Sequence, residues 1–122
     1  MSGERILGYL RTCMDRRFVL PTRGAFEQET GLGPTDYYHE SYPGGVAVAE
    51  TDPLGENLAY EHGVRIFGWG AHGDGCAGLP GVDDAGIMLR LEKYIEEKML
   101  KFPGSKHYRI FVTEENIEIT EV

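Results

Sequence analysis

The sequence predicts an α/β fold in a single domain, residues 1–122: a mostly parallel β-sheet flanked by helices. Three observations carry that prediction. Short β-rich runs alternate with amphipathic runs along the chain. Glycine and proline punctuate the junctions between them. The length, 122 residues, is that of one domain, and no repeat, linker or low-complexity tract divides it.

Taken in order, residues 5–12 (RILGYLRT) read as a first strand that runs into Cys13. Residues 21–30 are a short helix, closed by Gly31 and then Gly33-Pro34. The tyrosine-rich stretch 36–42 is a second strand, ended by Pro43-Gly44-Gly45, and its Tyr37, Tyr38 and Tyr42 read as strand packing. Asp52-Pro53 starts a helix, with a capping carboxylate and proline at the first helical position, and the helix runs to about His62 before Gly63. Residues 64–69 form a third strand, followed by a glycine-rich loop over 70–81. The longest helix spans 83–101, with Ile87, Leu91, Ile95 and Met99 on one apolar face beside Met88 and Tyr94. Residues 107–112 and 117–122 are two strands around a Glu115-Asn116 turn.

Composition narrows the function classes. A net charge of −8 argues against non-specific binding to nucleic acid or anionic membrane. No apolar run reaches the ~20 residues of a membrane span, and the first residues lack the charged-then-apolar order of a secretory signal, so the expected location is the cytoplasm. Two cysteines, Cys13 and Cys76, are too few for a disulfide-stapled scaffold. They leave three readings: buried thiols, a redox pair, or metal ligands.

The order of elements bears on that choice. In a parallel sheet with right-handed crossovers, ligands gather at the carboxyl ends of the strands. Cys13 ends the first strand, and His72 and Cys76 lie just past the third. Two thiolates and one imidazole suit zinc, whose catalytic sites use three protein ligands and one open position. In Cys13-Met14-Asp15-Arg16-Arg17, an extended segment turns positions 13, 15 and 17 to one side. Arg17 there pairs with Asp15 and keeps it ionised, and Asp15 either orients a zinc-bound hydroxide or, unpaired, binds zinc itself.

Cys13-x-Asp15-x-Arg17 resembles the signature of the β-carbonic anhydrases, a cysteine ligand followed by an aspartate–arginine dyad. Pro21 through Phe26, Gly31-Leu32-Gly33-Pro34, Asp36-Tyr37, Pro43-Gly44-Gly45 and His62-Gly63-Val64 match that family in character, so the likeness spans residues 5–100. The resemblance implies a zinc lyase in which Cys13, His72 and Cys76 hold the metal, Asp15 orients the hydroxide and Arg17 anchors Asp15. The substrate implied is carbon dioxide, hydrated to bicarbonate by zinc-bound hydroxide, in a homodimer or higher homo-oligomer. The same nucleophile serves carbonyl sulfide and carbon disulfide hydrolases of the same class. One departure is plain: the family usually has two residues between histidine and cysteine, whereas Gly73-Asp74-Gly75 makes three. Either the glycines let the loop bulge, or a ligand shifts and Asp74 or water replaces it, as in a non-catalytic zinc-binding or regulatory relative.

The remaining signals have plainer readings. Asp74 is a turn residue. His39, His62 and His107 are surface or helix-end histidines. Gly68-x-Gly70-x-x-Gly73 matches a dinucleotide fingerprint, but no helix follows it at once as that motif requires.

Overall fold

The computed structural model describes residues 7–47 and 53–122. Among these, β1 (Gly8–Cys13), α1 (Val19–Thr30), β2 (Tyr37–Tyr42), α2 (Leu54–Glu61), β3 (Ile66–His72), α3 (Asp84–Lys101), β4 (Lys106–Val112) and β5 (Ile117–Glu121) follow one another. The five strands form one sheet in the order β2-β1-β3-β4-β5. The first four are parallel, and β5 returns antiparallel to β4. The α/β expectation therefore holds. Residues 5 and 6 of the expected first strand, and the expected Asp52 cap, lie outside the described residues.

Strand alternation sorts the core into two layers. Tyr9 and Cys13 of β1, Phe67, Trp69 and Ala71 of β3, and Phe111 of β4 pack with Ala59 of α2 and with Ile87, Leu91, Tyr94 and Ile95 of α3. On the other face, Leu10, Tyr108, Ile110 and Val112 pack with Phe26 of α1. The glycines of β3 fit this second layer. A Cβ on Gly68 would lie 2.6 Å from the Phe26 ring, and one on Gly70 would crowd Thr22 at 3.1 Å. Gly68 and Gly70 thus let α1 sit close on the sheet, and the dinucleotide reading has no phosphate loop to support it.

The structure corrects several sequence expectations. β3 runs on to His72, so Gly70, Ala71 and His72 belong to a strand and not to the glycine-rich loop. Its start also shifts, because Val64 still bonds back to Ala59 at the end of α2. Pro53 occupies the N-cap of α2 and not its first helical position. On α3 the buried residues are Ile87, Leu91, Tyr94, Ile95 and Lys98, while Met99 is exposed. A step of four residues overshoots a helical turn by about 40°, so a strict every-fourth series rotates off the core by its last member. Asp83 caps α3 by accepting from Gly86 N–H at 2.8 Å. Of the histidines, His62 ends α2 as expected, but His107 is buried in β4, where its Nδ1 accepts from Trp69 Nε1 at 3.1 Å. His39 is half-buried against the Thr12 hydroxyl. Tyr37 packs in the core, while Tyr38 is exposed.

Candidate metal centre

The strand order reverses at β1 and β3. The chain goes from β1 outward to β2, then crosses back to β3 on the other side. Such a switch point opens a crevice at the carboxyl ends of the strands. Here β1 and β3 stay paired only from Gly8↔Ile66 to Arg11↔Trp69, so their ends, Cys13 and His72, lie beyond the ladder. The loop after β2 crosses the opening. Gly45, at φ 60°, has room for no side chain, since a Cβ there would meet Gly70 O at 2.3 Å. That close approach brings Gly44 N–H onto Cys13 Sγ at 3.3 Å.

Cys13, His72 and Cys76 converge there, with one ligand atom from each lying within 4.8 Å of the others and all three residues buried. The cysteines are free thiols, and their sulfurs are 3.8 Å apart. Two sulfurs each ~2.3 Å from one tetrahedral ion would stand about 3.8 Å apart. His72 Nδ1 lies 2.7 Å from its neighbour's carbonyl, Gly73 O, and as an N–H it donates there. That assigns the proton to Nδ1 and leaves the Nε2 lone pair turned inward. Nε2 is buried and, among the described residues, has no hydrogen-bond partner. An orphaned buried nitrogen beside two thiols is what a set of metal ligands looks like before its ion is added. Phe18 stacks on the His72 ring at 4.5 Å between centroids and fixes its plane.

The electrostatics couple the three groups. Burial pushes the Cys13 thiol up, but the His72 ring and the N–H groups of Asp15 and Gly44 outweigh it and bring it down to about 7. Burial pushes Cys76 up, against donation from Gly78 N–H, and the neighbouring Cys13 adds to the rise. Burial favours a neutral His72, yet Cys13, the Gly73 carbonyl and Asp15 together raise its affinity for a proton.

Asp15 and Arg17 pair as expected, but across a turn closed by Phe18 N–H to Asp15 O at 3.0 Å and not in an extended segment, since β1 stops at Cys13. Arg17 grips the carboxylate with Nε and Nη2 at 3.1 and 2.8 Å, and its backbone N–H donates to Oδ1 at 2.9 Å. These bonds from Arg17 hold the Asp15 carboxyl down near 2. Asp15 Oδ2 stands 3.7 Å from His72 Nε2, at the edge of the set formed by the other three residues. A cleft of about 530 Å³ opens beside the dyad, lined among others by Arg17, Phe18, Pro21, Val112 and Ile117.

The longer His72–Cys76 spacing does not separate the two candidate ligands. Asp74 and Gly75 both take left-handed backbone, φ 58° and 83°, and bulge the extra residue outward. The Asp74 carboxylate accepts from Glu114 N–H at 2.6 Å and lies outside the Cys13–His72–Cys76 cluster. Sequence reasoning gave no role to Phe18, Gly44 or Glu114, although Gly44 falls in the Pro43-Gly44-Gly45 match. The first two act through a ring face and a backbone N–H, which leave no residue-type signature, and Glu114 is one acid among many.

In a comparison of folds, the chain is similar to a β-carbonic anhydrase, isoform I from the protozoan Trichomonas vaginalis. The TM-score is 0.53 at 16% identity, over 99% of this chain and 84% of that one. The fold is β-carbonic anhydrase-like. No family model matches the sequence, and no curated protein matches it significantly. Among the described residues, no helix of this β-carbonic anhydrase-like fold is long and apolar enough to cross a membrane.

Proposed function

We propose that this chain is a zinc-dependent carbonic anhydrase that hydrates carbon dioxide to bicarbonate. The observation that supports it most is the juxtaposition at the switch point: two free thiols 3.8 Å apart, an unpartnered buried imidazole nitrogen, and an arginine-held aspartate beside them. Cys13 and Cys76, as thiolates, and His72, through Nε2, would hold the metal. Zinc, when bound, supplies the Lewis acidity that makes water a nucleophile near neutral pH.

The chain's own residues do the rest. Asp15 stays ionised beside Arg17 and accepts a hydrogen bond from the attacking water, which turns the water's lone pair toward the substrate carbon. The two-donor grip of Arg17 stops the carboxylate from rotating toward the ligands. Phe18, Pro21, Val112 and Ile117 give a small apolar gas an apolar strip to approach along, beside the polar rim of Thr113, Glu114, Glu115 and Asn116. We read the active form as a homodimer or higher homo-oligomer, with β2 and β5 as the open edges of the sheet.

Purified, reduced protein should carry close to one equivalent of zinc, and less than about half would sink the metal reading. Stopped-flow carbon dioxide hydration, followed from neutral pH to ~9, should show zinc-dependent turnover. Zinc-loaded protein with no rate above background over that range would overturn the enzyme reading. A monomer mass by light scattering at working concentration would overturn the assembly.

A further inference from the structure

We infer that the turn between β4 and β5 is a clasp on the metal site, with Asp74 and Glu114 as its positioning residues; the role, though not the clasp, rests on the metal reading above. The loop from His72 to Cys76 must keep both ligands in place while carrying an extra residue in left-handed backbone. A Cβ is crowded in that conformation, and aspartate adopts it where hydrogen bonds hold it, so the partners of Asp74 decide whether the loop keeps its shape.

Three hydrogen bonds hold the loop. Gly73 N–H donates to Val112 O, the last carbonyl of β4, at 2.9 Å. Asp74 N–H donates to Asp84 Oδ1, in the first turn of α3, at 3.1 Å. Asp74 Oδ2 accepts from Glu114 N–H at 2.6 Å. The loop is tethered to a helix on one side and to the hairpin turn on the other. The turn is itself closed, by Thr113 N–H to Asn116 O at 2.8 Å and by Asn116 N–H to Thr113 Oγ1 at 3.0 Å.

Glu114 then makes a second contact with its side chain. Oε1 accepts from Arg17 Nη1 at 3.2 Å, and Arg17 Nη2 reaches across to Gly75 O at 3.1 Å. One turn residue thus holds both halves of the site, the ligand loop through its backbone and the dyad through its carboxylate. The contacts are exposed, so each adds little to stability. Their value is geometric, because partners just outside a ligand set govern how well it grips an ion.

The test separates the backbone of Asp74 from its carboxylate. Asp74→Gly keeps the left-handed conformation and deletes the acceptor. Asp74→Asn keeps the conformation and one acceptor oxygen. In metal-free reduced protein, an aromatic disulfide reagent should modify the thiols about tenfold faster in Asp74→Gly, because local opening exposes Cys76; Asp74→Asn should react near the wild-type rate. In competition with a chelator, zinc affinity should fall about tenfold to a hundredfold in Asp74→Gly and recover in Asp74→Asn. Equal thiol rates in wild type and Asp74→Gly would overturn the clasp, whatever zinc does. If the thiol rates follow the expected order but wild type takes up no zinc, the clasp stands and the metal reading falls. Should Asp74→Gly not fold, the same thiol assay on Thr113→Ala, which removes the hydroxyl that closes the turn on Asn116 N–H, decides the matter in the same way.

Discussion

Arg11 and Arg17 stand on either side of Cys13, and both bind carboxylates, yet the surroundings give them different work. The Arg11 side chain is 0% exposed and that of Arg17 is 42% exposed. Arg11 donates to the Tyr94 and Tyr9 hydroxyls at 2.9 and 3.2 Å, lies 3.5 Å from the buried Glu56 carboxylate, and rests on the Tyr42 ring. Glu56 in turn accepts from Tyr94 at 2.8 Å and pairs with Lys98. That cluster ties β1 to α2 and α3 inside the low-dielectric layer. Arg17 ties only loops, at the surface, around the proposed site. The same guanidinium–carboxylate chemistry therefore controls stability in one place and geometry in the other.

The largest expected effect follows from breaking the buried cluster. Arg11→Ala leaves Glu56 and Lys98 to rearrange in a dry interior, and removing one partner of such a buried pair costs about 3–5 kcal/mol. Urea unfolding measures it. A loss under about 1 kcal/mol would mean that the cluster behaves like a surface pair, and the contrast between the two arginines would collapse.

Next comes Asp15→Asn. It removes the negative acceptor beside the ligands but leaves the shape intact, so kcat/KM for carbon dioxide should drop at least a hundredfold, in the range of a lost proton-handling group, with zinc content unchanged. Arg17→Ala should also lower turnover, by releasing Asp15, yet shift unfolding free energy by less than about 1 kcal/mol because the pair is exposed. An Arg17→Ala protein as unstable as Arg11→Ala would show that the surface arginine is structural after all.

The two arginines were not equally legible in the sequence. Arg17 could be read because it sits at a fixed spacing from Cys13 and Asp15, and chemistry that depends on neighbours in the chain leaves a pattern. Arg11 could not, because its partners Glu56, Tyr94 and Lys98 come from two helices far along the chain, and a charged residue inside a strand reads as solvated. The same division runs through the fold. Glycine and proline punctuation marked most elements within a few residues. It failed at the end of β3, where Gly70 reads as a loop but serves close packing by α1. His72 consequently looked like a loop residue, when its place at the end of a central strand is what orients its ring. Lys98 took the core position expected of Met99 because its ammonium has the buried Glu56 to meet, a partner invisible to any periodicity.

The smallest effect is carried by a proton and sharpens the contrast from the buried side. His107 lies in the aromatic layer, stacked on Phe67, with its Nδ1 accepting from Trp69. Burial holds its pKa below the ordinary 6.5, although the Phe102 carbonyl works in the other direction. The unfolded chain therefore takes up a proton before the folded one does. The stabilisation is fully present above pH 6.5 and drains away as the pH falls below it, at a slope of at most about 1.4 kcal/mol per pH unit. Urea midpoints for wild type and His107→Gln, measured at several pH values from 7.5 down to 5, isolate this one ring from the other histidines. The wild-type midpoint should fall more steeply than that of the variant, and Arg17→Ala should follow the wild-type slope, since its charge is at the surface. Parallel curves for wild type and His107→Gln would mean that the ring is protonated in place, with Trp69 Nε1 left without its acceptor.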